Sequence, residues 1–253
     1  MRVVVKVGSA VLTQDGEIAL ERMQSLVDFL AELKKEHEVI LVSSGAVAGG
    51  YTKLKLDRNI ISNKQALAAI GQPVLMNKYA KKFLKYDTIV AQVLVTAANL
   101  NSQEDIKRVR ATVETLLQND VLPIVNENDA TATEELELGD NDQLSAYITK
   151  DTASDMLIIL SDIDAYYDSD PRQNPNAKPF KIVNKIDEKE LSREVSPNNV
   201  FATGGIVTKL KAADYLLKAN IDTFLASGFD LHDVRSFMLE SSHKGGTLFT
   251  CKG

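Results

Sequence analysis

Short runs of apolar, often β-branched residues alternate along the chain with longer segments whose apolar residues recur at helical spacing. The runs are apolar at nearly every position, which is typical of strands buried on both faces of a parallel sheet. They predict strands at 2–7, 38–42, 88–95, 121–125, 156–160, 223–226 and 246–250. The first helical segment has its apolar positions at Leu20, Met23, Leu26, Val27, Leu30 and Leu33. This alternation predicts an α/β fold, a three-layer α/β/α sandwich around a mainly parallel sheet.

Capping and helix-breaking residues place the other helices. A helical pattern over 62–84 is predicted to break at Gly71, Gln72 and Pro73. Ser102 is predicted to cap a helix that reaches about residue 118, and Asp140 or Asn141 one that reaches about residue 150. Two more helices are predicted, one from the Gly-rich 202–205 to about residue 219 and a short one near residue 230. Pro, Asn and Tyr in 165–185 predict a hairpin or an ordered loop.

Length, charge and cysteine content narrow the class of protein. The 253 residues suffice for one large domain or two fused lobes, and we expect one unit over 1–253 with a seam near 150–155. A net charge of −6 offers no basic surface to a nucleic acid. Cys251 is the only cysteine, which excludes an intrachain disulfide and is typical of a reducing compartment, so we expect a cytoplasmic protein. No apolar run approaches the length of a membrane span.

The most unusual stretch of the chain is acidic. From Glu127 to Asp142 there are seven carboxylates and neither Lys nor Arg, and Asn and Gly accompany them. One interpretation is a solvated acidic loop, because blocks of like charge are often simply solvated. The other is a site where carboxylates and amides bind a cationic or metal-bound ligand. Spacing alone leaves both interpretations open.

Small and polar residues follow five of the predicted strands, at 6–9, 43–45, 126–129, 161–162 and 227–228. Ligands of open α/β sheets bind at these carboxyl ends. The Gly-rich turn at 203–205 precedes a helix whose first amides suit phosphate, and Lys209 lies in its first two turns. The chain has neither a P-loop nor a GxGxxG turn after its first strand, which counts against the common nucleotide-binding classes. Two lysines and a carboxylate cluster are nevertheless groups that phosphoryl transfer needs.

Six segments resemble, in chain order, the motifs of the amino acid kinase family: VVVKVGSAVLT, VSSGAVAGG, IVNENDATAT, GDNDQLSA, LSDIDAYYDSDPR and ATGGIVTKLKAA. The resemblance extends from Arg2 to Phe249. The pairing of NEND with GDND is specific to the members that phosphorylate glutamate. The resemblance as a whole implies the carbamate-kinase-like fold of the family, with an amino-acid-binding lobe at about 1–150 and a nucleotide-binding lobe at about 151–253. The resemblance is to the short form that lacks a PUA domain.

The resemblance also implies an activity and its partners. The expected reaction is ATP-dependent phosphorylation of the γ-carboxylate of L-glutamate to L-glutamyl 5-phosphate, the first step of proline biosynthesis. Mg²⁺ is expected to enter with ATP, held by phosphate oxygens and by no metal site of the protein. Proline is implied as a feedback inhibitor, a dimer or tetramer as the assembly, and glutamyl phosphate reductase as the recipient of the product. Neither a nucleic acid nor a membrane is expected as a partner.

Residue roles follow from the same resemblance. Lys6 and Lys209 are expected to stabilise charge on the transferring phosphoryl group, and Asp142 to orient both lysines. The implied glutamate-binding residues are Ser44, Asp129 and Asn141, with Asp129 paired to the α-ammonium. The implied nucleotide-binding residues are Lys6, Gly8, Gly45, Ser161, Asp162, Thr203, Gly204, Gly205, Ile206, Val207, Thr208 and Lys209. Gly8 and Gly45 are expected to offer backbone amides to the phosphates, and Glu134, Glu135 and Glu137 to face solvent.

Three positions depart from the family pattern. Ser161 stands where Thr is usual, Ile206 where Met is usual, and Ala165 where Gly is usual, which affects the expected nucleotide loop.

Two alternative functions remain. One is another small-molecule kinase of this fold, such as one acting on N-acetylglutamate, and the other is a catalytically silent metabolite sensor. A free ammonium needs a carboxylate partner such as Asp129, whereas an acetylated amine does not. Structurally, Lys6 as a surface residue, Ser44 as a turn residue and Asp162 as a helix cap remain alternatives.

Overall fold

The computed structural model describes residues 1–131, 141–192 and 205–252. Its strands are β1 (Arg2–Val7), β2 (Thr13–Gln14), β3 (Glu17–Ile18), β4 (Glu38–Ser43), β5 (Val90–Val95), β6 (Leu122–Glu127), β7 (Met156–Ser161), β8 (Ile182–Val183), β9 (Asp222–Ser227) and β10 (Thr247–Phe249). Its helices are α1 (Ser9–Leu12), α2 (Leu20–Leu33), α3 (Ala46–Tyr51), α4 (Ile61–Phe83), α5 (Ala97–Asn101), α6 (Gln103–Gln118), α7 (Asn141–Asp151), α8 (Glu188–Leu191), α9 (Gly205–Leu217) and α10 (His232–Leu239). All seven predicted strands are present.

Eight strands form one sheet in the order β5-β6-β4-β1-β7-β9-β10-β8. Neighbouring strands are parallel except for β9 and β10, so the prediction of a mainly parallel sheet is confirmed. The chain builds β4, β5 and β6 on one side of β1, and then β7 to β10 on the other. The connections that follow β1 and β7 therefore run to opposite sides of the sheet, which opens a crevice between the carboxyl ends of these two neighbouring strands.

Two apolar layers cover the two faces of this sheet. Along β1, Val3, Val5 and Val7 belong to one buried cluster, while Val4 belongs to the other. The first cluster includes the buried faces of α2, α4 and α10, and the second those of α6, α7 and α9. Successive side chains of a strand point to opposite faces, so a strand that is apolar throughout serves both layers. The predicted three-layer α/β/α sandwich is confirmed.

The sequence predicts that the helix over 62–84 breaks at residues 71–73. This prediction is wrong, because α4 (Ile61–Phe83) is one continuous helix. Pro73 and Ala69 are both exposed, so solvent can reach the Ala69 carbonyl that would otherwise accept the missing Pro73 N–H. Gly71 is there for packing: a Cβ at Gly71 would lie 1.7 Å from the carbonyl oxygen of Ala46. Glycine thus lets α3 and α4 touch backbone to backbone.

The remaining local predictions agree with the structure where it describes them. The Ser102 side chain accepts the amide N–H of Asp105 and caps α6, which ends at residue 118 as predicted. An antiparallel bridge between Tyr167 and Pro179 makes 165–185 an ordered loop. The alternative cap of α7, Asp140, lies outside the described residues. No helix in the described ranges is both long and apolar enough to cross a membrane.

Candidate active site

The carboxyl ends of four adjacent strands bring most of the predicted site residues to one edge of the sheet. Strands β6, β4, β1 and β7 lie side by side in that order. Val7 is in register with Ser43 on one side and with Leu160 on the other, so the segments 8–9, 44–45 and 161–162 leave the sheet at one level. Strand β6 ends there as well and leads into Asp129. The crevice predicted from the strand ends is therefore formed.

A buried carboxylate joins the two predicted lysines. The Oδ1 atom of Asp142 lies 2.5 Å from Lys6 Nζ, and its Oδ2 atom lies 3.1 Å from Lys209 Nζ. Thr208 donates its hydroxyl to the same Oδ2 atom at 2.8 Å. The side chain of Asp142 is fully buried, and those of Lys6 and Lys209 are 2% and 7% exposed. Strand β1 and helices α7 and α9 thus meet in one ion cluster.

Among the described residues, this cluster brings two ammonium groups to one carboxylate. Asp142 lies in the first turn of α7, where the helix dipole favours a negative charge. Lys209 lies near the start of α9, where the dipole disfavours a cation, and its Nζ donates to the Gly205 carbonyl at 2.7 Å. Two buried ammonium groups beside a helix start are suited to bind an anion such as a phosphate.

A network of buried amides links the acidic stretch to the end of β4. Asn141 Nδ2 donates to Ser44 Oγ at 2.8 Å, to Asn126 Oδ1 at 3.0 Å and to the Ser43 carbonyl at 3.3 Å. The Asn126 amide in turn donates to Gln72 Oε1 at 3.0 Å. Ser44 and Asn141, both predicted to bind glutamate, are therefore in direct contact. Asn126 binds Asn141, and Gln72 binds Asn126.

A cavity of about 280 Å³ opens beside this network. It is lined by Ser9, Thr13, Ser44, Gly45, Ala46, Val47, Ala48, Arg58, Lys64, Asn126, Glu127, Asp129 and Asn141. Its size is at the small end for ligand pockets, which suits a metabolite of amino-acid size. The wall carries two carboxylates, Glu127 and Asp129, and two cations, Arg58 and Lys64. Sequence analysis missed both cations, which lie in a stretch without a recognisable motif.

The two predicted glycines behave differently. The Gly8 amide donates to the Leu160 carbonyl at 3.1 Å, and its contact with a phosphate stays a prediction. A Cβ at Gly8 would lie 3.7 Å from Lys6 Nζ, which is an ordinary van der Waals distance. Gly45 has a φ of +105°, a conformation that glycine adopts readily, and it precedes α3 at the cavity wall.

Among the predicted nucleotide-binding residues, Ser161, Asp162 and the described part of 203–209 lie on the other side of β1 from the cavity. The Ser161 hydroxyl donates to Asp162 Oδ1 at 3.0 Å, and Arg172 lies 3.6 Å from the Asp162 carboxylate. Asp162 is not followed by a helix, so it is not a cap. Among the described residues, a Cβ at Gly205 would meet nothing within 4 Å, and Ile206 and Val207 lie in the first turn of α9. Thr203, Gly204 and the carboxylates Glu134, Glu135 and Glu137 lie outside the described residues.

The described part of the chain contains no group of three His, Cys, Asp or Glu side chains that could hold a metal ion. Asp142 is poorly suited to metal binding, because both of its oxygens already contact an ammonium or a hydroxyl. The cluster can therefore hold phosphate oxygens by charge, and the adjoining cavity can hold a small polar molecule. Together they place an anion next to a polar ligand, an arrangement suited to transfer of a phosphoryl group.

Comparison with known proteins agrees with this geometry. A family model described as the amino acid kinase family matches residues 1–227. A glutamate 5-kinase of Wolinella succinogenes is 53% identical over 257 residues, which cover 100% of this chain and 98% of the relative. A glutamate 5-kinase of Leishmania donovani is 48% identical over 248 residues, covering 98% of this chain and 94% of the relative. The resemblance found from the motifs is confirmed, and with it the expectation of a kinase.

The fold has close counterparts among solved structures. The carbamate kinase from Giardia lamblia bound to AMP-PNP aligns with a TM-score of 0.66 at 16% identity, covering 98% of this chain and 98% of that one. At this identity the likeness speaks for the fold, and it confirms the carbamate-kinase-like architecture. The motifs, the fold and the relatives lead to one conclusion: the chain belongs to the amino acid kinase family.

Proposed function

We propose that the protein transfers the γ-phosphoryl group of ATP to the γ-carboxylate of L-glutamate, forming L-glutamyl 5-phosphate and ADP. The observation that carries the proposal is the Lys6–Asp142–Lys209 cluster next to a cavity that displays carboxylates and cations together. The glutamate 5-kinases that match over nearly the whole chain support the choice of substrate. We also propose a place at the first step of proline biosynthesis, as the resemblance of the motifs implies.

The cavity has a partner for each end of a glutamate molecule. Asp129 is a carboxylate suited to pair with the α-ammonium. The Nδ2 group of Asn141 is engaged by its three acceptors, so Oδ1 is the atom of this amide that can accept from the same ammonium. Arg58 and Lys64 supply the positive charge that an α-carboxylate requires. In this arrangement the γ-carboxylate is the end directed toward Lys6 and Lys209.

The chemistry then needs little covalent help from the protein. A γ-carboxylate oxygen attacks the γ-phosphorus in line, the new O–P bond forms, and the bond to ADP breaks. A carboxylate is already anionic, so no general base is required. Lys6 and Lys209 stabilise the charge on the phosphoryl oxygens, and Asp142 holds both ammonium groups in place. Mg²⁺, brought in on the ATP phosphates, supplies further charge neutralisation when it is bound.

The nucleotide is assigned to the half of the sheet beyond β1. Ser161 and Asp162 lie at the carboxyl end of β7, and the described part of 203–209 forms the start of α9. We therefore assign about 1–150 to the amino acid and about 151–253 to the nucleotide, as two lobes of one domain. The course of the chain, with β4 to β6 on one side of β1 and β7 to β10 on the other, supports this division.

A hydroxylamine trapping assay tests the substrate. The protein is incubated with Mg-ATP, hydroxylamine and one acceptor at a time: L-glutamate, N-acetylglutamate or aspartate. Glutamate is expected to give a hydroxamate with matching ADP formation. A hydroxamate from N-acetylglutamate or aspartate, and none from glutamate, would assign a different family substrate. Binding of glutamate without any ADP would identify a silent sensor.

The pairing of Asp129 with the ammonium has its own test. Asp129→Ala is expected to raise the KM for glutamate by about tenfold or more, with the KM for ATP nearly unchanged, because a charge-assisted bond is lost. Asp120→Ala, at an exposed carboxylate on the opposite edge of the sheet, is the matched control. An unchanged saturation curve for glutamate in Asp129→Ala would remove this residue from the site.

Three further properties are proposed on family likeness. Proline is expected to inhibit by competing with glutamate, which would show as inhibition that high glutamate relieves. The protein is expected to form a dimer or tetramer, measurable by sedimentation. We also place it in the cytoplasm and expect the labile acyl phosphate to pass to glutamyl phosphate reductase; a coupled assay in which added reductase does not shorten the lifetime of free product would argue against handover.

A further inference from the structure

Two buried polar side chains of helix α4, Gln72 and Tyr79, contact residues at the ends of β6 and β4 next to the cavity. Gln72 is 7% exposed and Tyr79 is fully buried, and their spacing of seven residues places them on one face of the helix. Tyr79 Oη lies 2.8 Å from Ser43 Oγ, and burial raises the pKa of Tyr79, so this hydroxyl stays protonated. Gln72 does not line the 280 Å³ cavity. Any effect of Gln72 on a ligand must therefore pass through Asn126, which it contacts.

The Glu127 N–H identifies which end of the Asn126 amide is the oxygen. The Glu127 N–H can only donate, and it donates to Asn126 Oδ1 at 2.9 Å. The Nδ2 group of Asn126 must therefore point the other way, toward Gln72, which meets it with Oε1 at 3.0 Å. Asn126 Oδ1 is then also the acceptor for Asn141 Nδ2. The chain of bonds leaves one orientation for each of the three amides.

The Nε2 group of Gln72 makes no hydrogen bond comparable to that of Oε1 within the described residues. This nitrogen is buried and has no protein hydrogen-bond partner among the described residues. Gln72 lines a neighbouring cavity of about 190 Å³, which shares Ala46, Glu127 and Asp129 with the first cavity and has apolar side chains close to Gln72 in sequence, Ala68, Ala69 and Pro73. In the described structure, Gln72 is thus bound to the protein through its acceptor oxygen.

We propose that Gln72 is a positioning residue for recognition of the substrate ammonium. By accepting from Asn126 Nδ2, it keeps Asn126 Oδ1 on Asn141, and so keeps the Asn141 carbonyl oxygen available to the ammonium. Without this acceptor, Asn126 Nδ2 must turn toward other oxygens, and those of Asp129 and Ser44 line the cavity beside it. The turned amide would then compete with the ammonium for its acceptors. The inference rests on the proposed function, because it assumes that glutamate occupies the cavity.

The test compares glutamate with glutarate, which has both carboxylates but no ammonium. In Gln72→Met the side chain keeps its length and loses both polar atoms. The KM for glutamate is expected to rise about tenfold, while the inhibition constant of glutarate and the KM for ATP change less than about twofold. Gln24→Met, which removes a hydrogen-bonded amide on α2, is the matched control and is expected to leave all three unchanged.

Two outcomes would overturn the proposal. Equal weakening of glutamate and glutarate would mean that the variant deforms the cavity in general, and an unchanged KM would mean that Gln72 does not act on the ligand. Gln72→Glu keeps an acceptor oxygen opposite Asn126, so its KM for glutamate is expected to stay within about threefold. A tenfold rise in that variant would also refute the proposal, even if Gln72→Met failed to fold. Failure of the unchanged protein to phosphorylate glutamate would instead refute the proposed function.

Discussion

Replacement of Asp142 by Asn tests the ion cluster most severely. The change keeps the shape of the side chain and removes the one negative charge between Lys6 and Lys209. At the observed separations of 2.5 and 3.1 Å, the two attractions amount to about 7 and about 5 kcal/mol for an effective dielectric constant of about 20. Desolvation of three buried charges offsets much of this gain, so the sum is not a net stability.

Removal of one partner from a buried ion pair costs about 3–5 kcal/mol, because a buried charge is left without a counter-charge. Asp142→Asn leaves two such charges, and we expect its free energy of unfolding to fall by at least about 3 kcal/mol in the absence of nucleotide. ATP brings anionic oxygens to the same lysines, so a saturating nucleotide should restore part of the loss. The kcat is expected to fall by about 10²–10³-fold, while the KM for ATP does not rise.

The assay is urea denaturation of both proteins, with and without a non-hydrolysable ATP analogue. Asp28→Asn is the matched control: Asp28 is also paired to a lysine, Lys85, at 2.8 Å, but the side chains of Lys85 and Asp28 are 51% and 33% exposed, so this pair is open to solvent. Solvent screens that pair, so its loss should be much smaller. If Asp142→Asn were no less stable than Asp28→Asn, or if the nucleotide stabilised variant and parent equally, the assignment of Asp142 as the counter-charge of both lysines would be refuted.

Three further changes probe the proposed catalytic role of Lys209, the contact between α3 and α4, and the response of stability to pH. Lys209→Ala is expected to lower kcat by about 10²–10³-fold with little effect on the KM for glutamate; a kcat near that of the parent would exclude Lys209 from the reaction. Gly71→Ala would put a Cβ 1.7 Å from the Ala46 carbonyl, so it should lose at least about 1–3 kcal/mol of stability by denaturation, and an unaffected variant would contradict the close α3–α4 contact. Burial and the nearby N-terminal ammonium lower the pKa of His37 in the fold, so the unfolded chain takes up this proton first, and stability should fall between about pH 7.5 and 5.5. His37→Gln should flatten that fall, and a curve as steep as that of exposed His232→Gln would contradict it.

The sequence was sufficient for the architecture because the buried strands are apolar throughout and end abruptly at small or polar residues. Those strand ends predict that Lys6, Ser44 and Asp129 lie at one edge of the sheet, as the strand order then shows. The error in α4 came from treating Gly71 and Pro73 as breakers. Gly71 is needed for contact with a helix that lies about twenty residues earlier, and local sequence does not show such a contact.

The missed parts of the site have the same origin. Gln72 and Asn126 are 54 positions apart, and only the pairing of the sheet and the packing of α4 bring their amides together. Arg58 and Lys64 reach the cavity from a stretch with no motif. The Gly8 amide, predicted to contact a phosphate, donates to the Leu160 carbonyl, and this bond depends on which strand lies beside β1. Long-range pairing, and not local pattern, decides these cases.

The central claim is that an oxygen of the glutamate γ-carboxylate attacks the γ-phosphorus of ATP. The direct measurement uses glutamate labelled with ¹⁸O in that carboxylate, Mg-ATP and hydroxylamine. Hydroxylamine attacks the acyl carbon of the product and releases phosphate together with the bridging oxygen. If the γ-carboxylate oxygen attacks phosphorus, each phosphate released with the hydroxamate contains one ¹⁸O atom, which mass spectrometry or the ³¹P shift detects. Phosphate without ¹⁸O would show that water had accepted the phosphoryl group, and would contradict the account.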